Sequence, residues 1–370
     1  MKKIGIVIHA NAMLFSNGIT QNAYFLYQCL HHCGYTCEFL CNEPNPPPFH
    51  HEKIPLTQIL CDNPLVFNPD DYSLIINVTR SITKQQYNMF HSKNIRVIGV
   101  VCGNHYMQDQ EDFVYGSTKV TFEGKSETND ELWVIPSYYR YKTYMEILRK
   151  IPVYQLPHLW HPCILKKRAL DLSKINDERF MYDISKHTAS KIDIIIMEPN
   201  LSYLKNAWLP LIASEGLHLK QPDLINNVFV FNFPEKPNNY SMIHSLSLGS
   251  KIRPFKRLEM DQILAHFSEQ NTIPIFLTHH NNNHLNFLYY ELLYYGYPLI
   301  HNSDMLDGCG YFYDDLDTCI HAVINAYTHH NKNISKYKAD GLQYLERVNP
   351  FNSNVCMQMK ELVSSVCVGK

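Results

Sequence analysis

The sequence predicts an α/β protein, with two doubly wound, Rossmann-like domains in tandem and a helical tail. Three observations carry this. The chain has 370 residues, more than one typical domain holds, and 45% are apolar, enough for full cores. Short β-branched runs alternate with helical patterns through both halves, as parallel sheets covered by helices require. The stretch from Thr272 to Ser303 reads as strand, helix and strand within about thirty residues, the size of a parallel βαβ unit.

In chain order, the first half gives strands at Lys3–Ile8, Thr36–Leu40, Tyr72–Asn77, Ile95–Val101, Glu131–Ile135 and Val153–Leu156. These are short apolar runs bounded by turn residues. Helices are expected over Thr20–His32, closed by Gly34, and over Lys84–His91 and Ser137–Ile147. Pro44–His51 is Pro-rich and reads as a loop. The second half gives strands at Asp193–Met197, Val228–Phe233, Lys251–Phe255, Ile273–Leu277, Tyr297–Ile300 and Gly310–Tyr313. Its helices are expected at Tyr203–Ala213, Met242–Leu248, Leu258–Phe267 and Asp317–His329, with tail helices at Ser335–Val348 and Asn354–Val366. The expected organisation is therefore a domain over 1–162, a charged linker with a helix over 163–190, a domain over 191–330, and a helical tail over 331–370 packing back across the domains.

Within the central unit, the run Ile273–Leu277 ends in the polar knot Thr278-His279-His280-Asn281-Asn282-Asn283. Asn is a preferred N-cap, so a helix begins inside the knot. It runs to about Tyr295 and stops at Gly296, a good residue just past a helix end. Pro298 is tolerated at the start of the next strand.

Composition excludes several classes. A net charge of −2 leaves no electrostatic footprint for nucleic acid. The longest apolar runs are five or six residues, too short to span a membrane, which leaves only peripheral membrane contact open. The opening Met1-Lys2-Lys3 and IGIVI resemble a signal peptide only briefly, because His9 and Asn11 interrupt the run. Eleven cysteines without such a signal point to reduced thiols and a cytoplasmic location. Cys29, Cys33, Cys37 and Cys41 recur every fourth residue, but not at zinc-module spacing, and read as buried structural cysteines. There is no G-x-G-x-x-G, G-x-x-x-x-G-K, H-E-x-x-H or G-x-S-x-G.

Glu291 stands among Leu, Tyr and Gly, where a carboxylate needs a reason. With Gly296 and Pro298 it gives E-x4-G-x-P. This resembles the signature in the C-terminal domain of retaining glycosyltransferases of the GT-B fold. The phrases WVIPSYY, LPHLWHPCIL, DIIIMEPN, YYELLYYGYPLIHNS and GYFYDDLD are similar to an uncharacterised glycosyltransferase-like family of unknown function, and are scattered over much of Leu132 to Asp317. The resemblance implies a helix N-terminus facing a nucleotide diphosphate, with Glu291 accepting hydrogen bonds from ribose hydroxyls. The family's second Glu, eight residues earlier, is here Asn283, and a glycine that often contacts the diphosphate is here Asn286. The nucleotide-sugar site so implied comprises Gly18, Asn200, Asn283, His284, Leu285, Asn286 and Glu291.

Three residues carry the expected chemistry: His105, Lys205 and Glu291. His105 follows the strand Ile95–Val101, where the family often has a His facing the donor sugar; it also reads as a loop His bound to water. Lys205 follows the first strand of the second half, where a basic residue neutralises the leaving diphosphate in the family; a solvated helix Lys is the plainer reading. Gly18 reads either as a close approach to ligand or as a turn glycine. The basic cluster Arg253, Lys256 and Arg257 reads as surface. The expected function is transfer of a sugar from a nucleotide-diphosphate sugar to a glycan or other hydroxyl acceptor, with retention and without metal or cofactor. A nucleotide-sugar epimerase and a non-catalytic sugar- or nucleotide-binding protein are the alternatives.

Overall fold

The computed structural model describes residues 2–10, 14, 18–49, 53–61, 63, 65–79, 81–116, 126–173, 177–284 and 286–368. It has two compact units, one of 1–161 with 347–370 and one of 162–346.

The N-terminal unit runs β1 (Lys3–Val7), α1 (Gly18–His32), β2 (Cys37–Cys41), β3 (Leu56–Gln58), β4 (Tyr72–Asn77), α2 (Lys84–Ser92), β5 (Arg96–Val101), α3 (His105–Tyr115), β6 (Glu131–Val134), α4 (Pro136–Tyr139), α5 (Lys142–Arg149) and β7 (Val153–Gln155). Its seven strands pair in the order β3-β2-β1-β4-β5-β6-β7, all parallel. Chain order reverses between β1 and β4, the topological switch of a doubly wound sheet.

The C-terminal unit runs α6 (Cys163–Ser173), β8 (Ile192–Ile196), α7 (Trp208–Lys220), β9 (Ile225–Val230), α8 (Pro237–His244), β10 (Ile252–Pro254), α9 (Met260–Phe267), β11 (Ile273–Leu277), α10 (Phe287–Tyr295), β12 (Leu299–His301), β13 (Tyr311–Phe312) and α11 (Leu316–Glu346). The final helix, α12 (Ser353–Val368), belongs to the N-terminal unit. The second sheet is parallel in the order β10-β9-β8-β11-β12-β13, with its switch between β8 and β11. The chain thus has the expected α/β class, two Rossmann-like units.

Burial explains the strand sequences. All five residues of β8 (IDIII) and of β11 (IPIFL) are buried, as in parallel strands covered on both faces. Pro274 is tolerated in β11 because β12 pairs only with Phe276 and Leu277. The buried carboxylate of Asp193 is satisfied by the Asn227 backbone N–H at 3.1 Å, by Asn226 Nδ2 at 2.9 Å and by the Thr272 hydroxyl.

Several expected bounds change. The segment 163–190 holds the expected helix, α6, and a short 3-10 turn at Asp177–Phe180, and it belongs to the C-terminal unit. The expected helices Asp317–His329 and Ser335–Val348 are one continuous α11. The polar break between them is absorbed because Asn331 accepts from Tyr182 Oη at 2.7 Å and donates to the His187 carbonyl at 3.1 Å. The expected single tail divides after Glu346 between the units. The helix expected at Tyr203–Ala213 starts later, at Trp208, and the expected Ser137–Ile147 helix is split into α4 and α5.

Candidate functional site

Ligands of open parallel sheets bind beyond the carboxyl ends of the strands, at the switch point. In the C-terminal unit, the loops there leave β8 (197–207) and β11 (278–286).

The β8 loop is shaped by Asn200. Its φ of 53° is left-handed, a conformation Asn tolerates better than most residues. Its Nδ2 donates to the Glu198 carbonyl at 2.9 Å, and its Oδ1 accepts the Ala207 N–H at 2.7 Å. The Asn200 amide is therefore committed to the loop, and this turn delays α7 to Trp208.

Glu198, the second residue after β8, is fully buried. One carboxylate oxygen accepts the His279 N–H at 2.9 Å, and the other is buried without a partner. Burial raises the Glu198 pKa and lowers that of Lys205, and each is pulled back by the other's charge. Lys205 thus faces a carboxylate within the loop, not open solvent. An unpaired buried polar atom costs about 1–3 kcal/mol, so the free oxygen needs a role.

On the β11 side, His280 is 3% exposed. Its Nδ1 accepts the Asn283 N–H at 3.3 Å, which makes Nε2 the protonated nitrogen, and Nε2 is buried without a partner. Burial, then the charges of His284 and Lys205, push its pKa down to about 2, so the ring is a neutral donor. Asn302 holds the loop, accepting the His280 N–H at 3.1 Å and donating to its carbonyl at 2.8 Å. The His284 ring lies 4.4 Å from that of His280, and its Nδ1 is 2.8 Å from Asp304 Oδ1. Sequence reasoning singles out neither Glu198 nor His280. The available signal was a carboxylate right after a buried apolar strand.

Asn286 caps α10, its Oδ1 accepting the Leu288 N–H at 3.1 Å. Leu285 lies outside the described residues. Gly296 ends α10 with φ 77°, and a Cβ there would meet Lys338 Cε at 2.4 Å. Local geometry thus accounts for Gly296, but not for Glu291. That residue is the one charge on a helix, FLYYELLYY, whose other side chains are nearly all buried. Among the described residues no hydrogen bond reaches its carboxylate. It is partly open to solvent, yet burial and the charges of Glu259 and Asp261 outweigh Arg168 and push its pKa up to about 8. Arg168 is drawn instead to Asp261, Nε to Oδ1, at 2.7 Å.

The remaining predicted residues are on other elements. Gly18 opens α1, with its carbonyl accepting from Asn22 Nδ2 at 2.7 Å. His105 is the first residue of α3, buried behind the Asn104 cap. Asp109, one turn on, accepts from Tyr144 Oη at 2.6 Å. Both belong to the N-terminal unit. Arg253, Lys256 and Arg257 are exposed. Asp315 of the D-x-D at 315–317 caps α11, its Oδ1 accepting the Thr318 N–H at 2.7 Å.

A family model described as "Protein of unknown function (DUF2827)" matches residues 4–363. No curated protein matches this chain in sequence. Among solved structures, sucrose-phosphate synthase from Thermosynechococcus elongatus is similar at TM-score 0.58 and 10% identity, over 100% of both chains. A trehalose-6-phosphate synthase, described in terms of glycosyltransfer with retention, gives TM-score 0.61 at 10% identity over 98% of this chain and 99% of that one. An alpha-glucosyltransferase in complex with UDP and a 13-mer DNA gives 0.57 at 11% identity, over 98% and 99%. The chain therefore has the two-domain GT-B fold of these glycosyltransferases.

Proposed function

The chain belongs to the DUF2827 family of proteins of unknown function, and from that premise we propose that it is a glycosyltransferase. It moves a sugar from a nucleotide-diphosphate sugar to a hydroxyl of a glycan or other acceptor. The observation that carries the reading is Glu291, a carboxylate without a hydrogen bond on an otherwise buried helix that follows the β11 loop in the chain. Two ribose hydroxyls donating to it would supply the missing partners and favour its charged form.

In this reading the diphosphate lies toward the N-terminus of α10, where free N–H groups and the helix dipole favour an anion. Lys205 supports the charge that grows on the leaving phosphate. The Nε2–H of His280 is a ready donor to a sugar hydroxyl or phosphate oxygen. Asn283, His284 and Asn286 line the approach. The acceptor oxygen bonds to the anomeric carbon as the carbon–phosphate oxygen bond breaks. The acceptor proton passes to the leaving phosphate on the same face, so the configuration is retained and no strong protein base is needed. The E-x4-G-x-P signature supports retention. Charge neutralisation by Lys205 and the helix supports a reaction without metal, as does the engagement of Asp315 in capping α11.

Turnover of a panel of UDP-, GDP- and ADP-sugars with simple glycan acceptors, in a chelator, tests the reading. Release of free nucleoside diphosphate with a new glycoside is expected. Binding without release points to a binding protein, a reading favoured by Asn283 at the position of the family's second Glu. Neither binding nor release overturns the proposal.

A further inference from the structure

One cysteine of α1, one just past its end and one of α12 converge in the N-terminal unit. Cys29 lies near the end of α1, Cys33 follows the helix end with its N–H on the Cys29 carbonyl at 2.9 Å, and Cys356 lies near the start of α12, 323 residues after Cys33. Their three sulfur atoms all lie within 4.8 Å of one another. Cys37 and Cys41, which share the four-residue spacing in sequence, sit on β2 and are not part of the group.

We propose that Cys29, Cys33 and Cys356 form a three-thiolate site for a soft monovalent cation of the copper(I) class. The donor set is sulfur alone, the set that selects copper(I) over harder ions. Structural zinc takes four ligands, and this group offers three. Cys29 is fully buried and Cys356 nearly so, while Cys33 is half-buried and gives the ion a way in. Lys360, one turn beyond Cys356, places a positive charge near Cys33 and offsets part of the charge of three thiolates around one cation. Small apolar packing would explain a single buried cysteine on each helix. It does not require three sulfurs to meet.

In the absence of the ion the thiols hold their protons. Cys33 Sγ points to the Cys356 carbonyl at 3.6 Å, and Cys356 Sγ to the Pro350 carbonyl at 3.5 Å. Uptake forms three copper–sulfur bonds and releases three protons to solvent, with no change of oxidation state. The bound ion would clamp the last helix of the chain onto α1.

The test is anaerobic titration of the reduced, full-length protein with copper(I) in competition with bicinchoninate. Wild type should withdraw one equivalent from the chelator and melt at a higher temperature when loaded. Cys33→Ser, the half-buried position, should lose that equivalent while melting like wild type without copper. Cys356→Ser should lose it too, and Cys61→Ser and Cys102→Ser, outside the cluster, should keep it. Failure of wild type to withdraw copper, or retention of the full equivalent by Cys33→Ser, would overturn the proposal.

Discussion

The carboxylate of Glu198 accepts the backbone N–H of His279 at 2.9 Å. This bond ties the loop leaving β8 to the loop leaving β11, across the switch point of the C-terminal sheet. It uses one oxygen and leaves the other buried and unpaired beside Lys205. Buried polar groups in folded proteins are nearly always satisfied, so such an exception marks a place where function outweighs stability.

Glu198→Ala should therefore do two things. It removes the acceptor of the His279 N–H and the counter-charge of Lys205, and should destabilise the protein by about 1–3 kcal/mol. Urea denaturation reads this directly. Unchanged stability would mean that the two loops are not joined through this carboxylate.

Glu291 gives a stability test with a definite sign. Its pKa stands at about 8, above the ordinary 4.5, so the folded protein holds this proton where the unfolded chain releases it. Stability from this group is full below pH 4.5 and is lost as pH rises to about 8. Glu291→Gln, which stays neutral, should melt at a higher temperature than wild type at about pH 9 and near the wild-type temperature at about pH 4.5. Scanning calorimetry across that range checks it, and a difference independent of pH would contradict the assignment.

The element that carries Glu291 was legible in the sequence, and its neighbours at the switch point were not. The run Ile273–Leu277 is uninterrupted and β-branched, and it is β11 residue for residue. Gly296 closes α10 as expected, because only local backbone chemistry is involved, but the helix begins past the knot Thr278–Asn283, at Phe287, where the Asn286 side chain caps it. Lys205 was expected at the start of a helix over Tyr203–Ala213, but it lies in the loop before α7, and its carboxylate neighbour was missed. Glu198 follows β8 as any polar residue might, and only the fold brings the His279 N–H, 81 residues away, to its oxygen. The start of α7 was misplaced for a related reason, since Asn200 reaches Ala207 and to backbone beyond β9. Local propensity does not contain tertiary hydrogen bonds.

Lys205→Ala should reduce kcat by about a hundredfold or more, the usual consequence of losing a charge that stabilises a leaving group. Donor binding should weaken less than turnover. Steady-state kinetics separates the two effects, and a variant with unchanged kcat would remove Lys205 from the chemistry.

His105→Ala should slow turnover while leaving donor affinity near wild type, because the carboxylate assigned to the ribose lies in the other unit. Proton NMR of the first-formed product should show an α-linked glycoside from an α-linked donor. A β product would require a base on the opposite face, a role open to His105 or Asp109.

The central claim is that this chain holds a nucleoside diphosphate through Glu291. Calorimetric titration of wild type and Glu291→Ala with UDP, GDP and ADP tests it most directly. One of these nucleotides should bind wild type and bind the folded variant about tenfold or more weakly, the loss expected for a charge-assisted hydrogen bond. Equal affinity for both proteins, or no binding of any of the three to wild type, would contradict the account.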